Sequence, residues 1–263
     1  MIRKEPGRLA RYLITLQYVG AGFHGFQKQP FVPTVQGALE QALCTLIGRE
    51  TPVLGAGRTD AGVHALGQAA AFDIEPGRDV SRIVPGLNAL LPRGISVTGM
   101  ARVRDDMDPR RDALWREYRF FLLNTPAPSA LLEDYTVHIH KPLDKTLMSE
   151  ACSRAVGEHD FSAFRAQGSP EDSGVRRVIE CDLEEVWPSV LQFRVRATAF
   201  LYRMVRIMAG AVTEVGSGRA SLEDLSAWLK GGDRPCAVPL PPQGLFLWKV
   251  AYPGELFIDD AGV

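Results

Sequence analysis

The sequence predicts an α+β chain made of two successive β-α-β-β-α-β units. Three observations predict it. Each half opens with a strand-like segment, at 12–18 and again at 115–123. Each then continues with apolar residues spaced by three and four, near 35–47 and 143–156. Proline- and glycine-rich breaks separate these segments, as at Asn124-Thr125-Pro126-Ala127-Pro128.

In order, Tyr12, Ile14, Leu16 and Tyr18 alternate with Leu13, Thr15 and Gln17, which gives the first strand. Thr34 is placed to cap a helix whose apolar stripe is Val35, Ala38, Leu39, Ala42, Leu43, Leu46 and Ile47, with Gly48 closing it. Strands near 52–58 and 66–73, a helix near 79–91 interrupted by Pro85, and a strand near 95–103 complete the half. The second half carries a strand at 115–123 and a helix near 143–156 that buries Leu147, Met148, Ala151, Cys152 and Ala155. Strands near 176–187 and 190–199 follow, joined by Pro188-Ser189. Helices at 202–215 and 221–230 and a strand near 245–251 end it. This is the ferredoxin-like order taken twice, with mostly antiparallel sheets flanking a central cleft; the expected division is 1–105 and 106–263.

Composition excludes several classes. At 46% hydrophobic and 23% charged residues the chain is an ordinary globular protein. No apolar run approaches the ~18 residues of a membrane span, and the basic N-terminus has no apolar core of a signal peptide behind it. Cys44, Cys152, Cys181 and Cys236 form no C-x-x-C pair, which argues against a zinc site or a disulfide framework and for a reducing cytoplasm. His138 and His140 share a face on a strand, but two ligands without a third do not make a metal site. The net charge of −1 gives no sign of a polyanion partner, yet 187–213 contains no Asp or Glu while holding Arg194, Arg196, Arg203 and Arg206. Such a cluster suits a phosphate backbone as well as it suits a solvated face.

The chemistry-bearing stretch is Gly55-Ala56-Gly57-Arg58-Thr59-Asp60-Ala61-Gly62-Val63-His64-Ala65-Leu66-Gly67-Gln68. Glycines let a backbone approach a ligand closely. Arg58 and Asp60 stand two apart, so in extended chain they point to one side, and a guanidinium there favours an ionised, aimed carboxylate. That is the form of a nucleophile or base. Taken alone, an Arg-x-Asp pair on a loop is more often a salt bridge or a turn.

The run 57–64 resembles the signature of the tRNA pseudouridine synthase A family. The likeness continues in Gly25-Phe26-Gln27-Lys28-Gln29, Thr34-Val35-Gln36, Arg116-Glu117-Tyr118-Arg119 and His159-Asp160-Phe161-Ser162-Ala163-Phe164-Arg165. It ends with Phe200-Leu201-Tyr202-Arg203-Met204-Val205-Arg206 and Gly244-Leu245-Phe246-Leu247. The resemblance implies isomerisation of uridine to pseudouridine at positions 38 to 40 of the tRNA anticodon arm, by a homodimer without metal or cofactor. It implies that Asp60 is the catalytic aspartate with Arg58 paired to it, and that Tyr118 packs on the target base. Arg206 is implied to support Asp60 and Leu245 to line the base pocket, with Arg203 and Arg165 as further substrate-binding residues. Val19, Phe26 and Phe120 depart from the family, which usually has Asp, Trp and Tyr at these positions.

Such a reaction breaks the C1′–N1 bond of uridine and rejoins the ring at C5, so the nucleotide must leave the stack. Attack at C6, attack at C1′ and removal of the 2′ proton all remain open for Asp60. Two other readings compete. Asp60-Ala61-Gly62 and Asp172-Ser173-Gly174 look like the paired Asp-Ser/Thr-Gly of aspartic proteases, but no apolar strand leads into Asp172. A non-catalytic RNA-binding module fits two ferredoxin-like units, though no Lys/Arg-Gly-Phe run of an RNA-recognition motif is present.

Overall fold

The computed structural model describes residues 9–75, 79–166, 173–232 and 235–258, so Asp172 lies outside the described residues. The chain is α+β and its described strand pairings are mostly antiparallel. It divides into two compact units, Met1–Leu114 with Lys249–Val263, and Trp115–Trp248. The sequence places the division at 105/106; the units part at 114/115, and the last segment returns to the first unit.

In the first unit β1 (Ala10–Tyr18) is followed by α1 (Val35–Ile47), β2 (Leu54–Gly55), β3 (His64–Ile74), α2 (Ile83–Leu90) and β4 (Ile95–Arg102). The sheet order is β4-β1-β3-β2. The Thr34 hydroxyl accepts from the Gly37 N–H, and Gly48 ends α1 at φ 81°, a left-handed value that suits glycine. Between these caps Val35, Leu39, Ala42, Leu43 and Ile47 are buried. Pro85 does not break α2, because it occupies the first turn, where a backbone N–H has no intrahelical partner. The Asn88 amide grips both the N–H and the C=O of Val97, so α2 is tied to the strand that follows it. On the other face of the sheet Leu13, Ala56, Ala69 and Ala71 pack with Val103, Met107 and Leu256, the last supplied by the returning C-terminal segment.

In the second unit β5 (Trp115–Leu123), β6 (Val137–His138), α3 (Lys145–Arg154), β7 (Gly157–Asp160), β8 (Val175–Trp187) and β9 (Val190–Ala197) precede α4 (Met204–Gly216), α5 (Leu222–Trp228) and β10 (Leu245–Ala251), whose residues from Lys249 on belong to the first unit. The antiparallel order is β5-β9-β8-β7, with β6 parallel to β5. α4 is buried nearly all round, the mark of a helix enclosed by others rather than laid on a surface. α5 opens with a capping box in which Ser221 and Asp224 satisfy each other's backbone N–H. The short strands β6 and β7 are not foreseen by the sequence reading. No helix of the described residues is long and apolar enough to cross a membrane.

Candidate active site

Asp60 lies on the loop between β2 and β3, and that loop is gripped from two sides. Tyr18, at the end of β1, is buried with its hydroxyl 2.7 Å from the Thr59 hydroxyl. Gln68, fully buried on β3, donates to the Gly57 carbonyl at 3.0 Å and to the Tyr18 hydroxyl oxygen at 3.4 Å. The phenol oxygen accepts from the Gln68 amide, and either hydroxyl of the Tyr18–Thr59 pair can be the donor. Burial pushes the Tyr18 phenol up to about 12, so it stays protonated at neutral pH.

The second grip comes from the segment after β1. The Phe26 N–H donates to the Thr59 carbonyl at 3.1 Å, and the Gly20 N–H to His64 Nδ1 at 3.2 Å. Glycine is required at two points here. A Cβ on Gly20 would lie 2.2 Å from the Val63 oxygen, and one on Gly25, at φ +88°, would lie 2.6 Å from the Thr59 oxygen. Within the loop the Val63 N–H closes a turn onto the Asp60 carbonyl at 3.2 Å. The outcome is a buried Thr59 between an exposed Arg58 and a half-buried Asp60.

The sequence marks Tyr18 only as a strand residue and Gln68 only as the end of the glycine-rich motif. Their signal was polarity on the inward face: Gln68 interrupts a strand of alanines, and a buried tyrosine hydroxyl needs a partner. Phe26 is also buried, and its ring presses so closely on Gly55 that a Cβ there would sit 2.2 Å away.

The remaining candidates lie in the second unit. β5 pairs Tyr118 with Val195 and Phe120 with Phe193, so Tyr118 shares the apolar face of the sheet. It is half-buried, with the Phe200 ring edge-on at 5.1 Å. Phe120 is fully buried and lies against Gly244, the residue before the buried Leu245. Arg203 caps α4 at φ 58°, a strained value for a non-glycine, with its guanidinium 4.9 Å over the Tyr202 ring. The Ala166 N–H donates to the Tyr202 carbonyl at 3.2 Å, which brings the Arg165 segment to the start of α4. Arg206 is half-buried and donates through Nε to the Leu240 carbonyl at 2.7 Å.

Arg194 and Arg196 point to the opposite face of the sheet from Tyr118. Arg196 donates to Glu117 at 2.8 Å and to Glu180 at 2.6 Å; Arg194 donates to Asp182 at 2.6 Å. Arg119 also donates to Glu117, at 2.9 Å, and stacks 3.8 Å over Trp248, while Arg196 lies 4.3 Å over Trp115. Burial pushes the Glu117 carboxyl up, but the hydrogen bonds from Arg196 and Arg119 outweigh it and hold it below its usual range. The acid-free window of 187–213 therefore splits. Its strand arginines are neutralised by acids of β5 and β8, whereas Arg203 and Arg206 lie at the start of α4.

Among the described residues of this α+β chain, a glycine-clamped loop presents the Asp60 carboxylate, and no helix is long and apolar enough to cross a membrane. The model of the tRNA pseudouridine synthase family matches residues 14–110 and 151–253. A tRNA pseudouridine synthase A of Neisseria gonorrhoeae (strain NCCP11945) is 42% identical over 95% of this chain and 95% of its own length. That of Geobacter sp. (strain M21) is 41% identical over 91% of this chain and 98% of its own, and that of Rhodospirillum rubrum 40% over 94% and 89%. The chain belongs to the tRNA pseudouridine synthase family, and it is an isomerase of that family.

Proposed function

We propose that the chain converts uridine to pseudouridine in the anticodon arm of tRNA, at positions 38 to 40, with the Asp60 carboxylate acting on a flipped-out nucleotide. The observation that carries this reading is the loop. Buried neutral hydrogen bonds from Tyr18, Gln68 and the backbone at Phe26 hold Thr59 and Gly57 on either side of Arg58, one residue before Asp60. A catalytic group held this way loses little freedom when substrate arrives. Arg58, exposed two residues before Asp60, adds positive charge to the same loop, and the family resemblance implies that it serves the carboxylate. Tyr118 stacks on the extruded base, a contact worth about 1–3 kcal/mol, and Leu245 lines its pocket. Arg203, Arg206 and Arg165, gathered around the start of α4, bind the substrate's phosphates. Isomerisation transfers no electrons and adds no group, so the residues named suffice without a cofactor.

The β-α-β-β-α-β order of the first unit and its β4-β1-β3-β2 antiparallel sheet support a ferredoxin-like subdomain. In the second unit the β5-β9-β8 core with α3 and α4 supports another, extended by β7 and α5. The enzyme works in the cytoplasm as a homodimer, as the family resemblance implies.

The test is release of tritium from tRNA labelled at C5 of its uridines, with wild type and Asp60→Asn side by side. Forming the new bond at C5 expels that hydrogen. Release by wild type and none by the variant supports both reaction and residue. Normal release by Asp60→Asn overturns the role of Asp60, and tight tRNA binding with no release by either protein points to a binding module instead.

A further inference from the structure

We propose that Phe31 is a stacking residue for RNA, a platform on which a base near the modified nucleotide lies. The proposal rests on the reading above and adds a contact outside the Asp60 loop, in the segment between the Gly25–Gln29 and Thr34–Gln36 motifs.

Phe31 is 104% exposed, so its ring buries nothing in this chain. Its φ is +64°, in the left-handed region where a side chain crowds its own backbone. Both features oppose folding, and either would vanish with Gly or Asn at this tip. A strained backbone carrying a bare aromatic ring is an outlier from which function is inferred.

The loop that presents the ring is fastened at its base. The His24 N–H donates to the Pro33 carbonyl at 2.8 Å, and the Gln29 amide to the His24 carbonyl at 2.9 Å. The Lys28 N–H donates to Gln36 at 2.8 Å, and its ammonium pairs with Glu40 at 2.8 Å. Pro30 and Pro33 flank the tip and restrict it further. A ring held out this way loses little entropy on binding.

Position and surroundings point to the occupant. The same segment clamps the Asp60 loop through Phe26 and Gly25, so Phe31 and Asp60 are carried on directly connected loops of one unit. Residues 6–39 contain no Asp or Glu. The exposed neighbours His24 and Gln27 offer polar side chains beside a single aromatic ring, while Lys28 and Gln29 are already bonded to Glu40 and to the His24 carbonyl. One bare ring beside polar side chains, on a segment without acids from residue 6 to 39, suits an unpaired base. An apolar protein partner would call for a broader patch, and beside Phe31 only Val32 is apolar and non-proline, and it is half-buried.

The test uses filter binding of unmodified tRNA to the full chain, together with C5 tritium release. Phe31→Ala weakens tRNA binding about fivefold to a hundredfold, with the loss in KM rather than kcat and no fall in thermal midpoint. Phe31→Tyr restores binding. Phe31→Asn binds as poorly as Phe31→Ala while its thermal midpoint rises or holds, because the left-handed backbone is relieved. Binding by Phe31→Ala within twofold of wild type overturns the proposal. So does a binding loss that accompanies a changed oligomeric state on a sizing column, since the ring then meets protein. Should wild type bind tRNA yet release no tritium, the catalytic reading fails, and the binding comparison still decides the role of Phe31.

Discussion

The loop at 56–63 in the first unit and the outer sheet face in the second are both rich in hydrogen bonds, but of opposite kinds. Gly57 and Thr59 of the loop are held by a phenol, an amide, a hydroxyl and backbone groups, none of them charged at neutral pH. The sheet face is held by ions: Glu117 between Arg119 and Arg196, Glu180 beside Arg196, and Asp182 beside Arg194. Neutral bonds fix a backbone without using up the charged side chains displayed on it. Ionic bonds consume theirs. The arginines of β9 are therefore poor candidates for substrate, however basic their stretch of sequence looks, whereas Arg58 is exposed on a loop whose holding groups are neutral.

The largest expected effect is at the loop. Asp60→Asn lowers tritium release on the order of a thousandfold or more while leaving tRNA binding intact. A variant that keeps a tenth of the activity breaks the comparison, because the loop's rigidity would then serve something other than this carboxylate. Next comes the sheet face. Glu117→Ala leaves two arginines facing an empty buried site and destabilises the protein by about 3–5 kcal/mol, read from urea unfolding. Tyr18→Phe removes two neutral hydrogen bonds, to Thr59 and from Gln68, and costs about 1–3 kcal/mol, but it lowers kcat about tenfold or more because Asp60 is no longer aimed. If Tyr18→Phe instead loses stability and keeps kcat, the phenol is a structural bond only.

Much of this was legible in the sequence where the rule is local. Thr34, the apolar spacing and Gly48 define α1 to the residue, since caps and periodicity act within a few positions. The Asp60 loop was legible as a motif. What failed to show is what depends on partners far along the chain. The strand expected near 52–58 pairs only at Leu54 and Gly55, because its flanks turn to follow other contacts. β6 and β7, of two and four residues, are too short to alternate visibly. The return of the C-terminal segment rests on Leu256 meeting Leu13, which no local pattern announces. Which arginines are neutralised depends on strand register, which sets Arg196 opposite Glu117 and Glu180. Likewise, Tyr18 becomes a loop clamp only once β1 and β3 pair.

A smaller effect separates the two kinds of arginine. Arg203→Ala weakens tRNA binding and lowers the slope of log affinity against log salt by about one, without changing which uridines are modified. Arg194→Ala, its guanidinium already committed to Asp182, leaves that slope unchanged. Equal slopes for the two variants would mean that the sheet arginines let go of their acids when RNA arrives.

The smallest effects, and the sharpest contrast, lie in pH. Glu117 has its carboxyl held below the ordinary 4.5, so its contribution to stability is complete above that value and is lost as pH falls through the lower folded value. Tyr18 is the reverse case: its phenol is raised from 10.0 to about 12, so the folded state holds its proton where the unfolded chain has lost it. Its contribution is complete below pH 10 and declines between 10 and about 12. Unfolding curves taken across both limbs should show Glu117→Gln flattened on the acid side alone and Tyr18→Phe flattened on the alkaline side alone. An ion-held face and a neutral-held loop must fail at opposite ends of the scale; if both variants alter the same limb, the division between them is not the one drawn from their hydrogen bonds.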